Sequence, residues 1–567
     1  MYFTPMRLTL FTSIALLLTV TASCVSMTNG PSPADRNEKL HPYQSAITEQ
    51  QLRDHLFLLA GDSLLGRGTG EPGIDMAADY LAARHAAIGM KAIGDNGTYF
   101  QNFNLNARVN DYISFDRFTI AGTDTQHVYN SRFEKDNPAG FYPMLGGELP
   151  VEGRVVYAGL GIRDDGRGVD HLNAEISGNW VLIFNDIPHV VDGDTLISPA
   201  ITNRTRLNQL LFREGVAGIL LVNHTDQDDF DSRAKIMAAI FGNPVGFQLE
   251  YMQTGRGAPM QSAILSVSPA KAAALLGIEA DELNSQYDAL VSDLKAFKPV
   301  VTDHYIKTTG NSEYRAIPSK NVLSLLEGCD PDLKHEVVVI SAHYDHMGLD
   351  TPDATGDYIY NGADDNGSGT VATLAIAEAL AEARDNGACP ARSVMFLHVT
   401  AEERGLLGSR YYSDHPVMPI DNTVANINID MIGRIDNHYQ DEGYGDYIYI
   451  IGAEIISSRL DSLLQVANVK SENLKLDMRY NDLDDPNQFY RRSDHWNFGR
   501  LGVPFAFFFT GVHADYHRPS DTPDKIEYEH FLRRTRVAYS TIVEIANAPE
   551  RPLVDSQEFI RRTELGR

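Results

Sequence analysis

Basic residues are in short supply: 48 Lys and Arg stand against 76 Asp and Glu, a formal net charge of -28 that is spread along the chain. That reads as a solvated surface and excludes nucleic acid as a partner. Internal repeats and low-complexity tracts are missing. Long apolar runs are missing as well, since the stretch from Leu8 to Val20 is too short for a membrane-spanning helix. Cysteine is limited to Cys24, Cys329 and Cys389.

What is present is enough apolar residue, 43% of 567, for two globular units rather than one core. Arg7, the apolar stretch and the small residues after it have the layout of a secretory signal over residues 1–23. The "TASC" that ends at Cys24 resembles a bacterial lipobox, with Thr21 where leucine is usual. The expectation is an exported protein, anchored to a membrane by lipid on Cys24 and facing the periplasm or the outside; plain signal cleavage is the alternative. Residues 24–45 are polar and contain proline, as a tether would. Cys329 and Cys389 remain as an even pair in an exported chain. Each precedes an apolar strand, so a disulfide joins them if those strands are parallel neighbours.

Residues 46–118 begin with apolar spacing of helical period, in "ITEQQLRDHLFLLAGDSL" and "GIDMAADYLAARHAAIGMKAIG". From 119 to 300, short β-type runs alternate with turns and no acid-histidine motif occurs, which suggests a separate noncatalytic unit. From 301 to 550, continuous apolar strands alternate with helices. This predicts an α/β unit with a mostly parallel sheet flanked by helices, followed by a tail at 551–567.

Ligands in such sheets bind beyond the carboxyl ends of the strands, and there the chemistry-bearing residues gather. His343 and Asp345 follow "VVVISA", Glu402 and Glu403 follow "MFLHVTA", and Asp430 follows "NINI". Asp364 and Asp365 lie in "NGADDNGSG" before a helix, and Tyr516 and His517 in "VHADYHRPSDT". Singly, each has a bland reading: a hydrogen-bonded His-x-Asp pair, helix N-terminal acids facing water, a strand-end cap, a loop histidine. An EF-hand calcium loop is excluded, because the twelfth position from Asp364 is Ala375 and not the required glutamate. Jointly, two histidines and several carboxylates form a set suited to zinc, and to two ions if one carboxylate bridges them.

The succession "AHYDH", "GADDNGSG", "AEERGLLGS", "NIDMIG" and "YHRPSDT" resembles the M28 family of zinc aminopeptidases, in the form with an inserted protease-associated (PA) domain, over residues 46–545. The resemblance implies a zinc exopeptidase fold, a peptide substrate and two Zn2+ ions. It places His343, Asp365, Glu403, Asp430 and His517 on metal-ligand positions, with Asp365 bridging. Glu403 and His517 fall to one ion, His343 and Asp430 to the other. Glu402 takes the general-base position and Tyr516 one that binds the oxyanion in some relatives. Asp345 is placed to orient the His343 imidazole. In "YRRSDHWNFG", Arg492, Asp494 and His495 are substrate-side candidates, with a structural salt bridge equally open for Asp494. Three alternatives stand beside the aminopeptidase: a glutaminyl cyclase, a carboxypeptidase and a noncatalytic receptor on the same scaffold. Oligomeric state is not legible.

Overall fold

The computed structural model describes residues 31–121, 124–145, 150–191, 194–223, 227–252 and 263–563; the signal segment and Cys24 lie outside the described residues. Helices α1 (Glu49–Leu59) and α2 (Pro72–Ala87) form where the apolar spacing predicts them. Thr48 caps α1 by accepting from the Gln51 N–H at 3.2 Å. The chain continues through β1 (Phe100–Ala121), β2 (Val151–Tyr157), β3 (Trp180–Phe184), β4 (Gly218–Val222), α3 (Gln227–Ile240), β5 (Ala263–Val267) and β6 (Val300–Leu326). The last third contains β7 (Val337–His343), α4 (Gly369–Asp385), β8 (Ser393–Val399), β9 (Thr423–Ile429), β10 (Tyr447–Gly452), β11 (Phe505–Phe509) and α5 (Tyr528–Asn547).

Among the described residues, sixteen strands join one sheet, with the spatial order β10-β11-β9-β7-β8-β6 continuing into β2-β3-β4-β5. Strands β8, β7, β9 and β11 are mutually parallel, whereas β6 and β10 flank them antiparallel. Every residue of β7, β8 and β9 is buried, because both faces are covered, which is why these strands read as continuous apolar runs. One face packs Val338, Phe396 and Ile427 under α4 and α5; the other packs Val339, Leu397 and Phe498. A second core, around Trp180, Leu182 and Leu220, belongs to the parallel strands β2 to β5 and helix α3.

The two cores are joined by strands and not by a loop. β1 and β6 pair antiparallel from Phe100–Val322 to Thr119–His304, so residue 119 lies inside β1 and residue 300 begins β6. A strand of such length shows no break in composition where it passes from one core to the next.

The ends of the chain differ from the sequence expectation. The described part of the tether is docked: Pro33–Leu40 is a helix with a capping box between Ser32 and Asp35, and Leu40 is buried in the first core. Asn37 donates to Glu544 at 2.9 Å, and the Tyr539 hydroxyl donates to the Leu40 carbonyl at 2.9 Å. Polar composition hid these contacts because they are made by single residues. The tail is also held: Gln557–Thr563 is helical and Phe559 is fully buried beside Phe505. Cys329 and Cys389 form a disulfide with Cα atoms 6.1 Å apart, since the parallel pairing of β7 with β8 brings their leading segments to one edge. No helix among the described residues is long and apolar enough to cross a membrane.

Candidate metal centre

The carboxyl ends of the four parallel strands supply the site. His343 is the last residue of β7, Asp430 follows β9 directly, and His517 lies in the segment after β11. Asp365 comes from the turn that leads into α4. Its carboxylate is shared: Oδ1 lies 3.4 Å from His343 Nε2, and Oδ2 lies 3.1 Å from His517 Nε2. His343 Nε2 is also 3.5 Å from Asp430 Oδ2, and His517 Nε2 is 3.2 Å from Glu403 Oε2. The five residues therefore form two imidazole-carboxylate pairs, with one oxygen of Asp365 turned toward each.

Glu402 and Glu403 are not on a strand. β8 ends at Val399, and both glutamates sit in the turn beyond it, where Ala401 adopts a φ of 55°. The turn, rather than strand alternation, sends the two side chains to different neighbours. Neither faces water, with side-chain exposures of 11% and 6%, so the helix-terminus reading is overturned. Glu403 is locked between His346 Nδ1 at 2.8 Å and His517. Burial works to raise its pKa, but the hydrogen bonds from these imidazoles hold it at about 2. Among the described residues the one cationic partner of the Glu402 carboxylate is His343, 3.9 Å away. Burial pushes its pKa well above the usual carboxylate range, and the charges of Asp494, Glu403 and Asp430 add to the effect against His343. Neighbouring carboxyls driven in opposite directions are what separate acid-base and charge-holding roles require.

Asp345 differs from its expected role. The group that accepts from His343 Nδ1 is the Asp345 main-chain carbonyl, at 3.0 Å, while its carboxylate stays 3.8 Å away. The carboxylate is engaged elsewhere, accepting from the Glu402 N–H and the Thr69 hydroxyl, each at 3.1 Å. Asp345 thus fixes the turn that carries Glu402. Tyr516 stacks on the His517 ring, with centroids 3.9 Å apart. Of the remaining candidates, Arg492 is exposed over the Phe489 ring. Asp494 is fully buried with neither oxygen partnered, and His495 stacks on Phe507.

Sequence reasoning missed the residues that hold this frame. Fully buried Arg67 donates to the carbonyls of Leu59, Tyr344, Asn361 and Gly362, which pins both ligand-bearing turns. Asp521 accepts from the backbone N–H groups of Asp364 and Asp365. His346 is three residues beyond His343 in "HYDH", a spacing that could have marked it.

The donor set fits divalent metal. His343, Asp365 and Asp430 offer ligand atoms within 4.8 Å of one another, and so do His346, Asp365 and Glu403. Asp430 Oδ1 is buried without a hydrogen-bond partner, while Oδ2 accepts from the Ser493 hydroxyl at 2.7 Å. A small pocket contains the set: His343, Asp365, Glu402, Glu403 and Asp430 line it, with Met431, Phe489, Phe507, Phe509 and Val512 as its apolar wall.

Imidazoles and carboxylates converging at the carboxyl edge of a parallel sheet, with one further carboxyl held apart, define a metal-dependent hydrolase. Residues 321–542 match the family model described as Peptidase family M28; the segment that bears the site belongs to this family and is a metallopeptidase domain. Among curated relatives, a probable leucine aminopeptidase of Arthroderma otae is 25% identical over 285 residues, 46% of this chain and 74% of its own length. Aminopeptidase YwaD of Bacillus subtilis is 25% identical over 251 residues, covering 41% of this chain and 46% of that protein. Beyond the first, the chain spans about half the length of the curated relatives it matches. The solved structure of an aminopeptidase from Aneurinibacillus sp. strain AM-1 aligns with a TM-score of 0.48 at 18% identity, over 92% of this chain and 98% of that one.

Proposed function

We propose that the chain is a dinuclear zinc aminopeptidase acting on peptides outside the cytoplasm. The observation that carries this reading is the division of labour around Asp365, one of whose oxygens faces each imidazole-carboxylate pair. In this reading His343 and Asp430 hold one ion, Glu403 and His517 the other, and Asp365 both, while His346 orients Glu403 from outside. Zinc, when bound, supplies Lewis acidity to the scissile carbonyl and makes a water acidic at neutral pH.

The protein's own groups do the rest. Glu402, whose carboxylate is left free of hydrogen bonds among the described residues, takes a proton from the attacking water and returns it to the leaving amine. The Tyr516 hydroxyl is poised to donate to the developing oxyanion. The pocket of Met431, Phe489, Phe507, Phe509 and Val512 receives an apolar side chain, in keeping with relatives named leucine aminopeptidases.

Digestion of a defined peptide library, read by mass spectrometry, tests this. Release of N-terminal residues, fastest for large apolar ones and abolished by N-acetylation, is expected. Release of C-terminal residues from acetylated peptides would favour the carboxypeptidase alternative, for which exposed Arg492 beside the pocket could hold a terminal carboxylate.

The proposal includes a lipid anchor at Cys24, and a PA-type identity for the unit between the two long strands. Cys24→Ser is expected to release the protein from membranes; unchanged membrane association would remove the anchor from this reading.

A further inference from the structure

A cavity of about 520 Å3 lies where the two cores face each other, within the range of sites that enclose small ligands. Its walls include Asn110 of β1 and Thr308 of β6, the end of α3 at Ile240, and the turns after β7 and β8 at Met347 and Arg404. Arg404 directly follows Glu402 and Glu403, and Thr69 of the same wall donates to Asp345, which in turn holds the Glu402 N–H, so the cavity lies against the turn that carries both glutamates.

The state of this arginine is unusual for so acidic a protein. One guanidinium nitrogen donates to the Met347 carbonyl at 3.1 Å, and the group lies 5.6 Å from the Phe247 ring centre. Its Nε is buried with no partner, and among the described residues no carboxylate lies within ion-pair reach of it. Glu71, on the same wall, does not fill the gap: it accepts from Asn243 at 3.0 Å and from the Leu349 N–H at 3.3 Å. Burial pushes the Glu71 carboxyl up to about 7, which weakens it as a competing anion. Arg108 and Asp350 are the other charged groups at the wall. A guanidinium with free donors in a partly apolar cavity is suited to a planar carboxylate, which it can hold through two parallel hydrogen bonds.

The two spaces differ tenfold in size. The space at the metal-ligand set itself, about 50 Å3, has room for one side chain; the cavity against the turn that carries the two glutamates, about 520 Å3, has room for the remainder of a short peptide. We propose that the cavity receives the leaving portion of a di- or tripeptide and that Arg404 binds its C-terminal carboxylate. This rests on the aminopeptidase reading and adds to it a preference for short peptides with a free C-terminus.

The test compares kcat/KM of the zinc-loaded enzyme on leucine-initiated di- and tripeptides as free acids and as C-terminal amides. A charge-assisted hydrogen bond is worth enough to favour the acids by about tenfold or more, chiefly through KM. Arg404→Gln is expected to bring the acid-to-amide ratio near one, and Arg404→Lys to restore it in part. A ratio near one in the unaltered enzyme, or a ratio unchanged by Arg404→Gln, overturns the proposal while the aminopeptidase reading stands. Failure to cleave acids and amides alike overturns both.

Discussion

Glu402→Gln is expected to lower kcat by roughly 10²–10⁴ while the zinc content stays at the level of the unaltered protein, since general-base assistance is worth about that much. The substitution keeps the shape of the side chain and removes only its capacity to take a proton. The turn survives, because Asp345 holds it through the Glu402 backbone N–H and not through the carboxylate. Glu403→Gln has the opposite character: Glu403 sits between two imidazoles and is kept ionised at about 2, so a neutral amide there weakens metal binding first. Elemental analysis of both variants beside steady-state kinetics separates these effects. Zinc lost from the Glu402 variant and kept by the Glu403 variant would exchange their roles, and full activity in both would falsify the catalytic reading.

Asp365→Asn should be more damaging, with activity down by about 10³ or more, comparable to losing a Lewis acid worth several kcal/mol. The carboxylate faces both histidines at once. An amide offers a single oxygen and points N–H donors at the second imidazole. On the dinuclear proposal, metal content is therefore expected to fall from two ions per chain to fewer than one, whereas His517→Ala should spare the ion on the His343 side. Retention of two ions by a folded Asp365→Asn protein, with its circular dichroism unchanged, would show that the carboxylate does not bridge.

His343, Asp430 and the paired glutamates were legible because each combines two signals, an apolar strand run and a chemistry-bearing residue at or just past its end, whereas Asp365 and His517 lie in turns and showed only through their motifs. Parallel pairing of β7, β8, β9 and β11 then places those ends at one edge. Residues acting alone left no comparable trace. Arg67 satisfies four carbonyls from a segment with no motif, and Asp521 meets the Asp364–Asp365 turn only after the chain has folded across more than a hundred residues. The adjacent glutamates were legible as a pair past a strand, but not the way their side chains part, since the left-handed conformation of Ala401 is invisible in its type. Composition suggested a free tether and tail, and single apolar residues, Leu40 and Phe559, dock both.

The β1–β6 ribbon also has a topological meaning. Phe100 and Val322 are register partners, so the chain leaves the first core and re-enters it at neighbouring points. From the standpoint of that core, everything between them is one enlarged hairpin loop. The entropic cost of closing a loop grows only with the logarithm of its length, and a loop that folds on its own core escapes most even of that. An entire globular unit can therefore be spliced at this point with the metal centre undisturbed, and its surface can diversify while the strand ends that hold the ligands stay where they are.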